Sequence, residues 1–190
     1  MTTPLSLDLA LLSAGLVGAG APLVKRLRFL DDERVPGLAV YAPHPDAETA
    51  GLAGTRLIAR LPDEAEVAAL RVLFVAGLPT AEAARLAAVA RDHRVLVNVE
   101  DLPPLCDFHL PAIVRRGDLA VSVSTGGRSP TLARRLRTYL ETLFPATWAE
   151  RTERIAGLRD SLRARGASAA EVIEAIGALI DREGWLPPEA

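Results

Sequence analysis

A chain of 190 residues, 49% apolar and 24% charged, can build one full α/β domain with a smaller appendage and is too apolar for disorder. Its formal net charge of −2 exerts no overall pull toward nucleic acid or anionic membrane surfaces. The single cysteine, Cys106, excludes an internal disulfide framework and suits a reducing compartment, and three scattered histidines (His44, His93 and His109) lack zinc-finger spacing. No basic leader and no membrane-length apolar run are evident, so the expected address is cytoplasmic, with no membrane and no nucleic-acid partner.

Short apolar runs alternate with helical patterns, the signature of βα units on a parallel sheet. Leu11 to Val17 predicts a first strand, ending in Gly18-Ala19-Gly20. A helix through Lys25 to Leu30 follows, apolar at Leu23, Leu27 and Leu30. Leu38 to Ala42 predicts a second strand, stopped by Pro43-His44-Pro45, and Arg56 to Ala59 a weak third. Val72 to Ala76 comes next, then a helix from Ala81 to Arg91 with Thr80 as its expected cap, then a strand from Val95 to Val99. This half ends near Pro111.

Beyond it, Ile113 to Arg116 and Leu119 to Ser124 read as a hairpin turning at Gly117-Asp118. Thr125-Gly126-Gly127 breaks the second strand. Ser129-Pro130 opens a helix to about Leu143, with serine as cap and proline in the first turn, and Pro145 ends it. Thr147 to Glu150 and Ser168 to Glu171 both carry the capping-box pattern at the start of further helices, separated by Gly166. Only the tail after Trp185 reads as unstructured.

Three clusters carry chemistry. Glycines at 18 and 20, between strand and helix, let backbone N–H groups approach a pyrophosphate. Leu23 stands where a small residue is expected, Pro22 removes one N–H, and no acid ends the second strand, where Pro43-His44 is followed by Asp46. A plain βα turn is the competing reading. Asn98-Val99-Glu100-Asp101 puts an acid at a strand's carboxyl end, where partial burial would suit it to base or metal-facing work; Asp101 could equally cap the following turn. Ser122 to Pro130 gathers hydroxyls, loop N–H groups, a helix N-terminus and Arg128, suiting an anion, or else merely a well-capped connector. Around it lie six arginines (115, 116, 128, 134, 135, 137) against one acid, Asp118, and arginine suits bidentate carboxylate binding. Arginines 134, 135 and 137 fall on more than one helix face, so some are simply solvated. His109, between apolar residues, and Cys106 read as packed side chains rather than ligands or nucleophiles.

The stretch NVEDLPPLCDFHLPAIVRRGDL (98–119), followed by VSTGGRSPTLARRLR (123–137), resembles the precorrin-2 dehydrogenase/sirohydrochlorin ferrochelatase family, which also forms the N-terminal module of siroheme synthases. The resemblance extends, more loosely, back to Pro4-Leu5-Ser6-Leu7-Asp8-Leu9. It implies a Rossmann-like NAD-binding domain (1–112), a dimerisation segment (113–146) and a small helical C-terminal domain (147–190). It further implies oxidation of precorrin-2 to sirohydrochlorin with NAD, possible ferrous iron insertion, and a homodimer. On the matching positions, Asp101 is the implied catalytic acid, shared with any metal step. Asn98, Ser124, Thr125, Gly126 and Arg128 would meet a tetrapyrrole bearing eight carboxylates. Gly18, Gly20, Ala21, Pro22, Pro43, His44, Ala76 and Gly77 would line the cofactor site.

The departures fall on the cofactor side. The family's loop of three glycines, an acid, valine and alanine is here Gly18-Ala19-Gly20-Ala21-Pro22-Leu23, and its Ala-Thr-Asp/Asn is here Ala76-Gly77-Leu78, although Lys25-Arg26 keeps the basic pair. The alternative is therefore a tetrapyrrole-binding or chelatase-only protein with an eroded NAD site.

Overall fold

A computed structural model describes residues 5–187, so Pro4 and the last three residues of the tail lie outside it. It divides into two units, 1–110 and 111–190.

The first unit is a parallel five-stranded sheet of β1 (Ala14–Gly18), β2 (Ala39–Tyr41), β3 (Leu57–Ile58), β4 (Val72–Ala76) and β5 (Leu96–Val99), in the order β3-β2-β1-β4-β5. The chain reverses its direction of travel between β1 and β4, which register from Ala14 opposite Val72 to Gly18 opposite Ala76. Their carboxyl ends therefore diverge around a crevice, the usual ligand position of such sheets. Strand alternation feeds two cores. Leu16, Val40 and Phe74 face α1 (Gly20–Asp32), which contributes Leu23, Leu27 and Leu30. Val17, Leu73, Val75, Val97 and Val99 face the other side, covered by Val67 of α3 (Glu64–Ala68) and by Leu86, Ala87 and Ala90 of α4 (Thr80–Asp92). Both faces of the sheet are dry, which is why its strands read as apolar runs.

Several boundaries move for local reasons. Leu11 is not strand: Asp8 accepts from the Ala10 N–H and turns Leu9–Leu11 into a 3-10 helix. Arg56 lies in another such turn (Gly54–Arg56), where its guanidinium bonds Asp31 and the carbonyls of Leu52 and Ala53. Thr80 makes no capping bond; it is already helical, and extended Pro79 occupies the cap. Two short helices were not anticipated, α2 (Ala47–Ala53) and α3, because neither is long enough to show a period. Their caps were the available signal: Asp46 accepts from the Thr49 N–H, and Asp63 forms a reciprocal box with Glu66.

The second unit holds the hairpin β6 (Ala112–Arg116) and β7 (Leu119–Val123), antiparallel with Arg116 opposite Leu119, so Gly117-Asp118 is a two-residue turn. Then come α5 (Pro130–Leu143), α6 (Trp148–Ala164) and α7 (Ala169–Arg182). Ser129 caps α5 by accepting from Leu132 N–H, with Pro130 in its first turn, and Ser168 with Glu171 closes a capping box on α7. The box expected at Thr147 does not form. Thr147 already has helical dihedrals, as the turn from Pro145 runs straight into α6, so its hydroxyl does not cap. Trp148 packs against Phe144 and Trp185, with Arg151 over both indoles, so the chain stays docked past α7 to Trp185.

Candidate functional site

The site in the first unit begins where β1 and β4 end. A Cβ on Gly18 would stand 1.9 Å from the Ala76 carbonyl oxygen, so only glycine allows the strands to close there. The same missing side chain makes room for Leu23, whose Cδ1 would lie 3.3 Å from it and which is wholly buried. Tight helix–strand packing is thus achieved by a small residue on the strand and a large one on the helix, the reverse of the expected arrangement. Gly77 has φ +71°, and a Cβ on it would be 2.2 Å from the Ala19 carbonyl oxygen. The departure at Ala76-Gly77-Leu78 therefore answers a backbone requirement. Ala76 itself points into the core, its carbonyl accepting from Ala19 N–H.

Ala19 is the cap of α1 and provides no side-chain bond, so the first-turn N–H groups at Gly20 and Ala21 are uncapped by any side chain. Pro22 has none to offer. Beside this turn is a cleft of about 340 Å³, walled by Ala19, Pro43, His44, Gly77, Leu78 and Pro79, with Leu61 and Glu82 completing it. Uncapped helix donors, a positive-φ glycine at position 20 with nothing but Pro22 Cδ near its absent Cβ, and an adjoining largely apolar cleft fit a dinucleotide. Asp46 caps α2, its carboxylate accepting from the Thr49 N–H, and hydrogen bonding with Thr49 holds it below the usual carboxylate range.

The acid cluster lies at the end of β5. Asp101 adopts φ +59°, uncommon for a residue with a side chain, and is exposed, where partial burial was expected. Nor does it cap the following turn: that 3-10 helix (Pro103–Leu105) has Leu102 as its cap and no side-chain bond. Among the described residues Asp101 has no hydrogen bond or ion pair. Its neighbour Glu100 is the partly buried acid of the pair, 11% exposed at the side chain, one oxygen accepting from Lys25 Nζ at 2.9 Å and the other, Oε2, buried without a donor. Glu100 was not singled out from the sequence; only its place beside Asp101 could have flagged it.

Asn98 is buried, and its amide donates to the Phe108 carbonyl at 2.9 Å. It belongs to a set of bonds that closes the sheet edge. Asp107 accepts from Val97 N–H and from Arg91, while the Cys106 thiol donates to the Val99 carbonyl and accepts from its N–H. An edge strand covered in this way cannot pair with another chain. Burial pushes the Cys106 thiol above its ordinary value, in keeping with a packed group. His109, by contrast, is exposed rather than packed.

In the second unit, the end of β7 and the start of α5 gather the expected anion corner. Gly126 and Gly127 both have positive φ. Ser124 Oγ accepts from Gly126 N–H, and Thr125 Oγ1 accepts from Ser129 N–H and donates to its carbonyl, so both hydroxyls brace the turn. Arg128 is exposed, and among the described residues its guanidinium has no hydrogen bond or ion pair. Arg116 is committed elsewhere, donating to the Phe144 carbonyl at 2.6 Å, and Arg137 pairs with Glu141. On α5, Leu132, Leu136, Tyr139 and Leu143 form an exposed stripe at spacings of four and three. Among the described residues no group of three or more His, Cys, Asp or Glu could hold a metal ion, and no helix is long and apolar enough to cross a membrane.

Comparison with known proteins agrees with the resemblance carried by residues 98–137. The family described as putative NAD(P)-binding matches residues 5–112, and the sirohaem biosynthesis protein central segment matches 116–143. The siroheme synthase of Methylococcus capsulatus is 37% identical over 162 residues, 84% of this chain and 34% of that protein. The siroheme synthase of Pseudomonas putida is 38% identical over 138 residues, 71% of this chain and 30% of its own length. The chain thus spans about a third of these relatives. A solved structure titled SirC, precorrin-2 dehydrogenase, superposes with a TM-score of 0.77 at 22% identity, covering 97% of this chain and 92% of that one, which establishes the shared fold.

Proposed function

Because the chain belongs to the putative NAD(P)-binding family, with the sirohaem central segment following in the same polypeptide, we propose that it oxidises precorrin-2 to sirohydrochlorin with NAD⁺. One observation carries this reading. The uncapped first turn of α1, with its cleft, and the strained, unpartnered Asp101 stand at the carboxyl ends of β1 and β5 in one sheet.

In this reading Gly20 and Ala21 N–H groups hold the pyrophosphate, and Pro43, His44 and Gly77 wall the rest of the dinucleotide. NAD⁺ bound there would supply the hydride acceptor. Asp101 takes the proton that leaves precorrin-2 with the hydride; its exposure keeps it open to substrate, and its left-handed backbone fixes the direction of the carboxylate. NAD is preferred to NADP in this reading because Arg60, just past β3 beside β2, is held bidentately by Glu66 and is not offered to a 2′-phosphate. Arg128, on the loop that Ser124 and Thr125 brace, grips substrate carboxylates in the second unit. We assign 1–112 to cofactor binding, 113–146 to homodimerisation through the α5 stripe and 147–190 to a helical domain, in a cytoplasmic protein. Ferrous iron, if inserted, is a substrate, with Asp101 receiving displaced pyrrole protons.

The test supplies purified protein with precorrin-2 and NAD⁺ and follows sirohydrochlorin absorbance. Absence of turnover where an active relative works sinks the proposal. Asp101→Asn, close to isosteric, is expected to lose about 10²–10⁴-fold in turnover with NAD⁺ affinity kept. The second reading, a tetrapyrrole-binding or chelatase-only protein, draws on Pro22, which removes one donor from the pyrophosphate cradle. NAD⁺ titration separates the two, since failure to bind NAD⁺ favours the second.

A further inference from the structure

Arg26 is a half-buried cation left over once the interactions around it are assigned. It projects from α1 with its guanidinium carbon 5.8 Å from the ring centre of Phe74 and 5.9 Å from that of Phe29. Phe74 is fully buried in β4 and meets Phe108 edge-on at 5.6 Å, so the guanidinium rests on an immobile aromatic floor. Among the described residues it has no hydrogen bond and no salt bridge. Arg56, the comparable half-buried arginine of this unit, bonds Asp31 and two carbonyls. The acid that could neutralise Arg26 is Glu100, yet Lys25 takes one of its oxygens and the other has no donor at all. Burial pulls the Arg26 guanidinium below its ordinary value, opposed first by the charge of Glu100 and also by Asp101, which places this cation within electrostatic reach of the β5 end.

A partly desolvated cation with a fixed position and no hydrogen-bonded anion is unfavourable on its own. It becomes favourable when a ligand supplies the anion, and a guanidinium already held in place against aromatic rings loses less freedom in binding a bidentate acid. Two anions are available in the proposed reaction, a carboxylate of the tetrapyrrole and the pyrophosphate of the cofactor. The position of Arg26 decides between them. It lies over Phe74 and within electrostatic reach of Glu100 and Asp101 at the β5 end, and it is not among the walls of the cleft at Ala19, Pro43 and Gly77. We propose that Arg26 is a substrate-binding residue, receiving one carboxylate of the tetrapyrrole beside Asp101. This rests on the tetrapyrrole reading above and adds to it a subsite in the first unit.

The test uses the full chain, with sirohydrochlorin titrated by absorbance, NAD⁺ by calorimetry, and thermal unfolding measured alongside. Arg26→Gln is expected to weaken sirohydrochlorin roughly 10- to 100-fold, the range for a lost charge-assisted pair, with NAD⁺ affinity within about twofold of wild type. Arg26→Lys, which keeps a cation over the rings, is expected to recover part of the loss and serves if the glutamine variant does not fold. Unchanged sirohydrochlorin affinity in both variants overturns the assignment. So does selective loss of NAD⁺ binding, which would give the guanidinium to the pyrophosphate, and so does parallel loss of both ligands with a lowered Tm, which would make it structural. A wild-type protein that does not bind sirohydrochlorin defeats the tetrapyrrole reading itself, and this subsite with it.

Discussion

Gly77→Ala tests the join between β4 and the cofactor turn. Two costs follow from the geometry. Alanine must adopt φ +71°, a left-handed conformation costing about 1–2 kcal/mol. Its Cβ must also clear the Ala19 carbonyl oxygen, only 2.2 Å away, where the obstacle is backbone and cannot rotate aside. Moving that carbonyl adds about 1–3 kcal/mol, typical of overpacking, for a combined destabilisation of about 2–5 kcal/mol. Gly37→Ala is the control, since φ is +64° there but a Cβ meets nothing within 4 Å, so only the conformational cost applies. Urea unfolding of both variants, followed by circular dichroism, isolates the steric part as their difference. Because Ala19 is also the cap of α1, Gly77→Ala is expected to weaken NAD⁺ binding in calorimetry while Gly37→Ala does not. Equal destabilisation of the two variants, or Gly77→Ala within about 0.5 kcal/mol of wild type, would refute the reasoning.

Ser168→Ala removes half of the capping box on α7 and should cost about 1 kcal/mol in urea unfolding, most visibly through Trp185, which docks just beyond that helix. Glu66 is held down to about 2, chiefly by its hydrogen bonds from Arg60 and then by the Asp63 N–H. Its folded-state value is depressed, so its contribution is complete above the ordinary glutamate range and fades as pH falls from about 4.5 toward 2. Glu66→Gln should therefore flatten that part of the acid-unfolding curve and leave the neutral-to-alkaline part unchanged in slope; an identical acid limb would count against it. Leu136→Asp, in the middle of the exposed α5 stripe, should shift sedimentation from dimer to monomer without loss of helix content. A dimer persisting at micromolar concentration would place the interface elsewhere.

The strands β4 and β5 were legible because each is a short apolar run buried almost throughout, and the hairpin because Gly117-Asp118 separates two strand-like runs. The caps at Ser129 and Ser168 were legible because they are local chemistry between residues three apart. Thr147 shows the limit of that logic: the same pattern stands there, but the incoming turn holds Thr147 in helical dihedrals and its hydroxyl goes unused. In the site, the acid at the end of β5 and the glycines of the first turn could be located from spacing. Their environments could not.

What the sequence by itself determined is the order of βα units, the family resemblance across 98–137 and the residue types available to grip a polycarboxylate, since these rest on local propensity and linear pattern. Only the tertiary structure decided which acid is exposed and which is buried, why residue 77 must be glycine, and that Arg26 is left without an anion. Each of those depends on atoms brought together from segments far apart in the chain: Lys25 with Glu100, Ala19 with Gly77, Arg26 with Phe74. Electrostatics and steric exclusion act through space, and no periodicity along the chain encodes them.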